Sequence, residues 1–142
     1  MDIERIQMQL NCYDEHIKYI EAIKGDTIVE KLAFERCLNI MIESFLDVGN
    51  GMIDGFIMRD PGSYVDIVDI LVDERVISEK SGEVLKDFIE LRKFIVQQYW
   101  DVDYEKLCST YERCKNEITA FPESVKQYIE NELGEVVTAF KA

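Results

Sequence analysis

The sequence predicts an all-α fold, a single antiparallel bundle of four long helices with shorter additions. Its 142 residues suit one domain that buries a core without metals or disulfides, so residues 1–142 are predicted to form a single domain. The 7 glycines and 2 prolines are too few for a turn-rich sandwich or barrel. Apolar residues recur three and four positions apart along most of the chain, which is the spacing of amphipathic helices.

The first helix is predicted to run from about residue 2 to Lys24 and to end at Gly25. Its apolar seam consists of Ile3, Ile6, Leu10, Tyr13, Ile17 and Ile20. A second helix should begin at Thr27, because Glu30 follows three residues later, as in a capping box.

The second helix carries apolar residues on two faces. One face holds Leu32, Ala33, Cys37, Ile40, Met41 and Val48, and the other holds Phe34, Leu38, Ile42 and Phe45. A helix that is apolar on two sides must be covered on both, so we expect one face to contact the bundle and the other a partner subunit. The Gly49-Asn50-Gly51 stretch is expected to weaken or kink this helix.

Three further helices are predicted before Pro122. Asp60-Pro61-Gly62 marks a loop, after which Ser63 and Asp66 cap a short helix that should end near Val76 to Ser78. The next helix begins at Glu79 and places Arg92 within its apolar stripe. A fifth helix follows from Tyr104, with its seam at Tyr104, Leu107, Tyr111, Cys114, Ile118 and Phe121.

Pro122 is predicted to end the fifth helix. A last helix then follows, and its apolar positions are Val125, Ile129, Leu133, Val136 and Phe140.

Charge and composition restrict the functional classes. The 16 Lys and Arg against 29 Asp and Glu give a net charge of -13, so nucleic acid could bind only at a local basic site. The four cysteines show no CxxC spacing and His16 is the sole histidine, so we expect neither a metal site nor a cofactor. No apolar run could span a bilayer and no secretory signal is present, so we expect a cytoplasmic protein without a membrane partner.

Residues 91–103 depart from a plain amphipathic pattern. The Arg92 guanidinium could hold two phosphate oxygens at once, and Lys93 would add positive potential beside it. The Gln97 amide could orient a phosphate but does not titrate, so it cannot relay a proton. On an ideal helix Arg92 and Tyr99 share a face, whereas Gln97 lies about 140° away. Gln97 would join them only if the helix deforms near its end or if two subunits build the cleft.

The segment resembles the signature of HepT-type toxins in the HEPN superfamily. That signature is an Arg, four residues, a His, one residue and a Tyr, typically followed by Trp, an apolar residue and Asp. Arg92, Gln97 and Tyr99 occupy these places, with Gln97 at the position of the His and Lys93 where an Asn is common. The helix order and the chain length are also similar, and Glu43, Asp47 and Asn50 match a Glu, Asp and Asn pattern of the family.

The resemblance implies a homodimeric helical bundle in which two copies of the motif face one cleft. It further implies metal-independent endoribonuclease activity, with Arg92 and Gln97 as the catalytic positions and Lys93, Glu43, Asp47 and Asn50 as supporting residues of the cleft. It also implies a minimal nucleotidyltransferase antitoxin, which silences such a toxin by attaching AMP to the motif tyrosine, here Tyr99.

Two interpretations of function remain open. In the first, the chain is an endoribonuclease toxin in which Gln97 replaces the usual His at reduced efficiency. In the second, it is a catalytically silent HEPN module that binds a nucleotide, RNA or a nucleotidyltransferase through the same cleft. Arg92 itself could be structural, paired with a carboxylate such as Glu43 or Asp47, because buried arginines are normally paired.

Overall fold

The computed structural model describes residues 1–134, and the part of the chain that it describes is helical without strands. The helices are α1 (Ile3–Ala22), α2 (Ile28–Gly55), α3 (Tyr64–Asp73), α4 (Glu79–Arg92) and α5 (Tyr104–Leu133), with a π-helical segment, Lys93–Gln97, directly after α4. The predicted all-α fold is confirmed. The predicted positions Val136 and Phe140 lie outside the described residues.

Side chains cap the first turn of every α-helix. The caps are Asp2, Thr27, Ser63, Ser78 and Asp103, each accepting a hydrogen bond from the backbone N–H three residues later. The predicted start of α2 at the Thr27 cap and the cap of Ser63 are therefore confirmed. The Glu30 carboxylate accepts from the Thr27 hydroxyl, not from the Thr27 backbone N–H as in a full capping box. The predicted helix ends are less accurate: α1 ends at Ala22 instead of Lys24, and α3 ends at Asp73, before the predicted Val76 to Ser78.

Helix α2 continues through Gly49-Asn50-Gly51 to Gly55, so the expected weakening does not interrupt it. These glycines instead allow close packing. A Cβ at Gly49 would lie 2.6 Å from Cγ2 of Ile67, and one at Gly51 would lie 3.3 Å from Cγ1 of Ile6. The small residues thus let α3 and α1 approach α2 closely.

Pro122 does not end the fifth helix, and α5 runs through it to Leu133. Proline lacks the N–H that would bond to the carbonyl four residues earlier, here that of Ile118. The hydroxyl of Tyr13, which is fully buried in α1, donates to this carbonyl at 2.6 Å. The hydrogen bond that proline removes is therefore replaced by one from a neighbouring helix, and the predicted separate last helix is part of α5.

The core surrounds α2, which contacts the other four helices. Its aromatic centre joins three elements, with the Phe45 ring centroid 4.2 Å from that of Phe121 and 6.1 Å from that of Phe88. The face of α2 that holds Phe34, Leu38, Ile42 and Phe45 is fully buried within the single chain, whereas the other face is buried only at Cys37, Met41 and Val48. In the first turns, Ile28, Val29 and Leu32 stay more than half exposed. Among the helices of residues 1–134, none is long and apolar enough to cross a membrane.

Candidate functional site

Three of the sequence-predicted site residues line one cleft. Arg92, Lys93 and Gln97 border a space of about 210 Å³ between the end of α4 and the start of α3. The other lining residues are Ser63, Tyr64, Val65, Ile89 and Glu90. The cleft is open and shallow, which suits an extended ligand better than a small enclosed one.

The π-helical segment explains how Arg92 and Gln97 come together. Helix α4 changes at its end from α-helical to π-helical geometry over Lys93–Gln97. A π-helix closes its hydrogen bonds between residues five apart, so it brings such residues to nearly the same side. Gln97 is five residues from Arg92 and would point away from it on an α-helix. The deformation that the sequence argument required is therefore present within one chain.

Arg92 is held by two contacts. Its Nε donates a hydrogen bond to Oε1 of Glu43 at 2.7 Å, and the centre of its guanidinium lies 4.6 Å from the centroid of the Tyr64 ring. The hydrogen bond that Arg92 donates to Glu43 raises the pKa of the guanidinium, so Arg92 stays charged. Within residues 1–134, its hydrogen bonds use only Nε. The two terminal amino groups are free for a doubly coordinated phosphate.

Tyr64 is the site residue that sequence reasoning missed. It opens α3 next to the Ser63 cap, and its side chain is half exposed beside Arg92. A ring over a guanidinium fixes the plane of the cation and stabilises it electrostatically. An aromatic residue in the first turn of a helix carried no signal of this role, because the contact depends on how α3 packs against α4.

Lys93 and Gln97 form the outer wall of the cleft. Nζ of Lys93 lies 2.9 Å from Oε2 of Glu90, and both side chains are about half exposed. Gln97 is exposed, and its amide makes no side-chain hydrogen bond with the described residues. An amide at this point can donate and accept hydrogen bonds toward a ligand but cannot take up a proton.

Tyr99 lies outside the cleft. The α-helix ends at Arg92, so the expectation that Arg92 and Tyr99 share one face of an ideal helix is wrong. Tyr99 follows the π-helical segment in a turn with its side chain 71% exposed, and it packs edge-to-face on Trp100 with the ring centroids 5.5 Å apart. Its hydroxyl is accessible to a large partner.

Of the three family-pattern residues of α2, only Glu43 contacts Arg92. Asp47 and Asn50 line a groove of about 480 Å³ between α1 and α2, together with Asp2 and Arg5. Asn50 also borders a smaller depression that reaches Tyr64. The alternative pairing of Arg92 with Asp47 is therefore absent from the described residues, whereas the pairing with Glu43 is present.

The described residues offer no ready metal site. Within residues 1–134, no three His, Cys, Asp or Glu side chains converge to hold a metal ion. His16 lies on α1, and its Nδ1 is 2.8 Å from the carbonyl oxygen of Cys12. The chemistry that the cleft itself can supply is therefore cationic and hydrogen-bonding.

Comparison with known proteins identifies relatives over the full fold. The family described as "Ribonuclease HepT-like" matches residues 6–125. The Bacillus subtilis (strain 168) protein named "Putative RNase YutE" is 42% identical over 142 residues, covering 99% of this chain and 98% of the relative.

Solved structures agree with this similarity. The structure of YutE from Bacillus subtilis, described as a cytosolic protein of unknown function, superposes with a TM-score of 0.92 at 41% identity, covering 99% of this chain and 98% of that one. A tri-AMPylated HEPN toxin of Shewanella oneidensis in complex with an MNT antitoxin gives a TM-score of 0.79 at 19% identity, over 89% and 98% of the two chains. A toxin-antitoxin crystal structure with AMP-PNP gives 0.76 at 18% identity, over 88% and 98%. The last two show the shared fold.

Proposed function

The chain belongs to the HepT-like ribonuclease family, and from this premise we propose that it is the endoribonuclease toxin component of a toxin-antitoxin pair. The observation that carries the proposal is the geometry of Arg92. Its Nε is anchored on Glu43 while its terminal amino groups are free in a cleft that Gln97 shares. An arginine with an anchored Nε and two free terminal amino groups can donate two hydrogen bonds to the scissile phosphate of RNA.

The proposed reaction uses no metal. The 2′-hydroxyl of the RNA attacks the adjacent phosphorus, and the bond from phosphorus to the 5′-oxygen of the next nucleotide breaks. Arg92 stabilises the negative charge that grows on the phosphate, and Gln97 orients the phosphate or the hydroxyl by hydrogen bonds. Gln97 can neither accept the proton of the 2′-hydroxyl nor donate one to the departing 5′-oxygen, so water or another group takes the first proton and supplies the second. The products are a 2′,3′-cyclic phosphate and a free 5′-hydroxyl. The absence of a positioned base lowers the rate by about 10²- to 10⁴-fold.

The proposed assembly is a cytoplasmic homodimer in which two copies of the motif face one cleft. The free terminal amino groups of Arg92 and the exposed Tyr99 and Trp100 leave room for a second subunit beside the cleft. The YutE relative is described as cytosolic, which is consistent with this location. A symmetric pair would also double the number of cations around a bound RNA.

The proposed partner is a minimal nucleotidyltransferase antitoxin that modifies Tyr99. The Tyr99 phenol would attack the α-phosphate of ATP, forming a phosphodiester to AMP and releasing a proton and pyrophosphate. The Shewanella oneidensis toxin is tri-AMPylated and bound to an MNT antitoxin, and the exposure of Tyr99 fits such access.

Incubation with an active enzyme of this class and ATP should add the mass of AMP to the peptide containing Tyr99. Tyr99→Phe should abolish the addition at this residue, whereas Tyr19→Phe on exposed α1 should not.

A second candidate function is a silent module that binds RNA, nucleotide or the nucleotidyltransferase through the same cleft. The observation that favours it is Gln97 itself, because the amide keeps hydrogen bonding and loses proton transfer. Arg92 and Tyr99 would then serve binding and modification alone.

One assay separates the two functions. Purified protein is incubated with end-labelled RNA in the presence of a chelator, and the wild type is compared with Arg92→Ala and with Gln97→His. Cleavage by the wild type that Arg92→Ala abolishes supports the ribonuclease. Cleavage by Gln97→His alone supports the silent module, since the cleft is then intact and only the base is missing. Absence of cleavage in all three contradicts the ribonuclease.

A further inference from the structure

A basic groove adjoins the Arg92 cleft on the surface of α4 and α5. Four cations line it: Lys86, Lys93, Lys106 and Arg113. The carboxylates in its lining are those of Asp87 and Glu90, and the space measures about 440 Å³. In a chain with a net charge of -13, four cations around one groove are a local concentration of positive charge, and three of them pair with Asp69, Asp87 and Glu90.

The groove is continuous with the cleft. Val65, Glu90 and Lys93 line both spaces, so a ligand leaving Arg92 along this wall enters the groove directly. The cations stand in two rows. Lys86 on α4 and Lys93 directly after α4 are seven residues apart, and so are Lys106 and Arg113 on α5. Seven residues are two helical turns, or about 10 Å.

The antiparallel packing of α4 and α5 aligns these rows. Lys93 and Lys106 lie over the same Phe94 ring, at 5.1 and 4.2 Å from its centroid. At the other end, Nη1 of Arg113 lies 2.8 Å from Oδ2 of Asp87, next to Lys86. Two pairs of cations therefore mark the ends of a track about 10 Å long.

The cations are available to a polyanion. Lys106 takes part in no ion pair among residues 1–134, although 16 Lys and Arg share the chain with 29 acids. Lys93, Lys86 and Arg113 pair with Glu90, Asp69 and Asp87, and all these side chains are between one third and three fifths exposed. Exposed pairs of this kind contribute about 0–1 kcal/mol, so a phosphate can replace the carboxylate at little cost.

We propose that the groove formed by Lys86, Lys93, Lys106 and Arg113 holds the phosphate backbone of single-stranded RNA next to the scissile phosphate at Arg92. The inference rests on the proposed function, because it assigns the path of the same substrate. The continuity with the cleft favours RNA over an acidic protein surface, since the phosphate that Arg92 binds is joined covalently to those that would follow in the groove.

The test measures binding separately from cleavage. A fluorescently labelled 2′-O-methyl RNA, which lacks the attacking hydroxyl, is titrated by anisotropy with wild type, Lys106→Gln and Lys86→Gln/Lys106→Gln at several salt concentrations; of the cations in the groove, Lys86 and Lys106 do not line the cleft. The control is Lys18→Gln/Lys126→Gln, which removes the same amount of charge. The charges of these two lysines both affect the pKa of Asp14, and neither lysine lines the groove. Circular dichroism verifies that each variant is folded.

The expected effects follow from counterion release. The slope of log K against log salt is negative, and each lost phosphate contact makes it less steep by about 0.7 and weakens binding about fivefold near 0.1 M salt. The double groove variant should therefore lose about 1.4 in slope, while the control keeps the wild-type slope. Wild-type affinity and slope in the double groove variant would overturn the inference. If that variant also loses its dimer, the groove contacts a protein surface instead.

The two proposals fail differently. If RNA binding depends on the groove but unmodified RNA is not cleaved, the ribonuclease activity is contradicted and the groove is supported as an RNA-binding site. If the wild type cleaves RNA and the groove variants bind the probe as the wild type does, the ribonuclease activity is supported and the groove is overturned as an RNA-binding site. No binding of the probe by the wild type would overturn the track as well.

Discussion

Among single residues, the proposed cleavage of RNA depends most on how the Arg92 guanidinium is held. Glu43 bonds only Nε, so it fixes the guanidinium without occupying the terminal amino groups. We expect Glu43→Ala to slow RNA cleavage about tenfold, because a cation free to rotate no longer matches the phosphate. Glu43→Gln, whose oxygen can still accept from Nε, should recover part of the rate. Cleavage assays with Glu35→Ala, also on α2, provide the control. Equal rates in wild type and Glu43→Ala would contradict the positioning role.

The residue scale also shows how far sequence reasoning reached. The pattern of Arg92, Lys93 and Gln97 identified three residues that share a cleft. Helical periodicity placed Tyr99 beside Arg92, and this was wrong because the α-helix ends at Arg92. Tyr64 was missed because its contact joins two helices, and such a contact leaves no local spacing in the sequence.

At the scale of elements, Pro122 within α5 depends on Tyr13 of α1. Tyr13→Phe should lower the free energy of unfolding by about 1–3 kcal/mol, because the buried Ile118 carbonyl loses its donor. Pro122→Ala restores a backbone N–H to that carbonyl, so the Tyr13→Phe loss should be smaller in the Pro122→Ala background. Chemical denaturation of the four proteins measures the coupling. If the two changes in the free energy of unfolding simply add in the double variant, the Tyr13 hydroxyl and Pro122 do not compensate each other.

The start of α3, which presents Tyr64 to Arg92, is fixed by Asp66. Its carboxylate accepts from Nη1 and Nη2 of Arg59 at 2.8 and 2.9 Å and from the Gly62 N–H at 2.8 Å. The Arg59 hydrogen bonds, aided by that of Gly62, hold the pKa of Asp66 below its ordinary value. A depressed pKa in the folded state stabilises the fold above the unfolded pKa of about 3.9 and ceases to do so as the pH falls through the folded value.

Asp66→Asn should therefore be less stable than wild type near neutral pH, and the difference should shrink in acid. Urea unfolding at several pH values measures it, with Asp60→Asn from the loop before α3 as the control. A stability difference that grows as the pH falls would contradict the assigned role of Asp66.

Helix starts were predictable because a capping side chain and the N–H it binds are three residues apart in sequence, as at Thr27 and Ser63. The continuity of α2 and α5 was not. Gly49 and Pro122 are local signals for a helix break. Contacts with other helices compensate for them, because Ile67 of α3 packs on Gly49 and the Tyr13 hydroxyl of α1 bonds to the carbonyl that Pro122 leaves without a donor. The π-helical segment after α4 was anticipated only as a condition for bringing Gln97 to Arg92.

At the scale of the whole molecule, the proposed dimer gives an expected mass. Light scattering at micromolar concentration should report twice the mass of one chain, because the first turns of α2 expose apolar surface that a single chain does not cover. The dimer should persist at moderate salt, since apolar contacts are not screened. A monomer at all concentrations would contradict the assembly and leave each cleft with one motif.

Charge also acts at this scale. The acidic body repels RNA over most of its surface, and the cations of the cleft and the groove adjoin each other on one side. The composition indicated that any nucleic-acid site must be local. Its location required the packing of α4 on α5, which brings together residues that the sequence keeps in separate helices.

In the proposed function, the cleft beside Arg92 is a ribonuclease site in which Gln97 has replaced a titratable base. The pH dependence of the cleavage rate, compared between wild type and Gln97→His in chelator, tests this most directly. The account predicts that Gln97→His cleaves about 10²- to 10⁴-fold faster and gains a titration near the imidazole pKa of about 6.5, which the wild type lacks. A variant that is no faster and shows no new titration would contradict it, because a proton acceptor at that position would then be irrelevant to the chemistry.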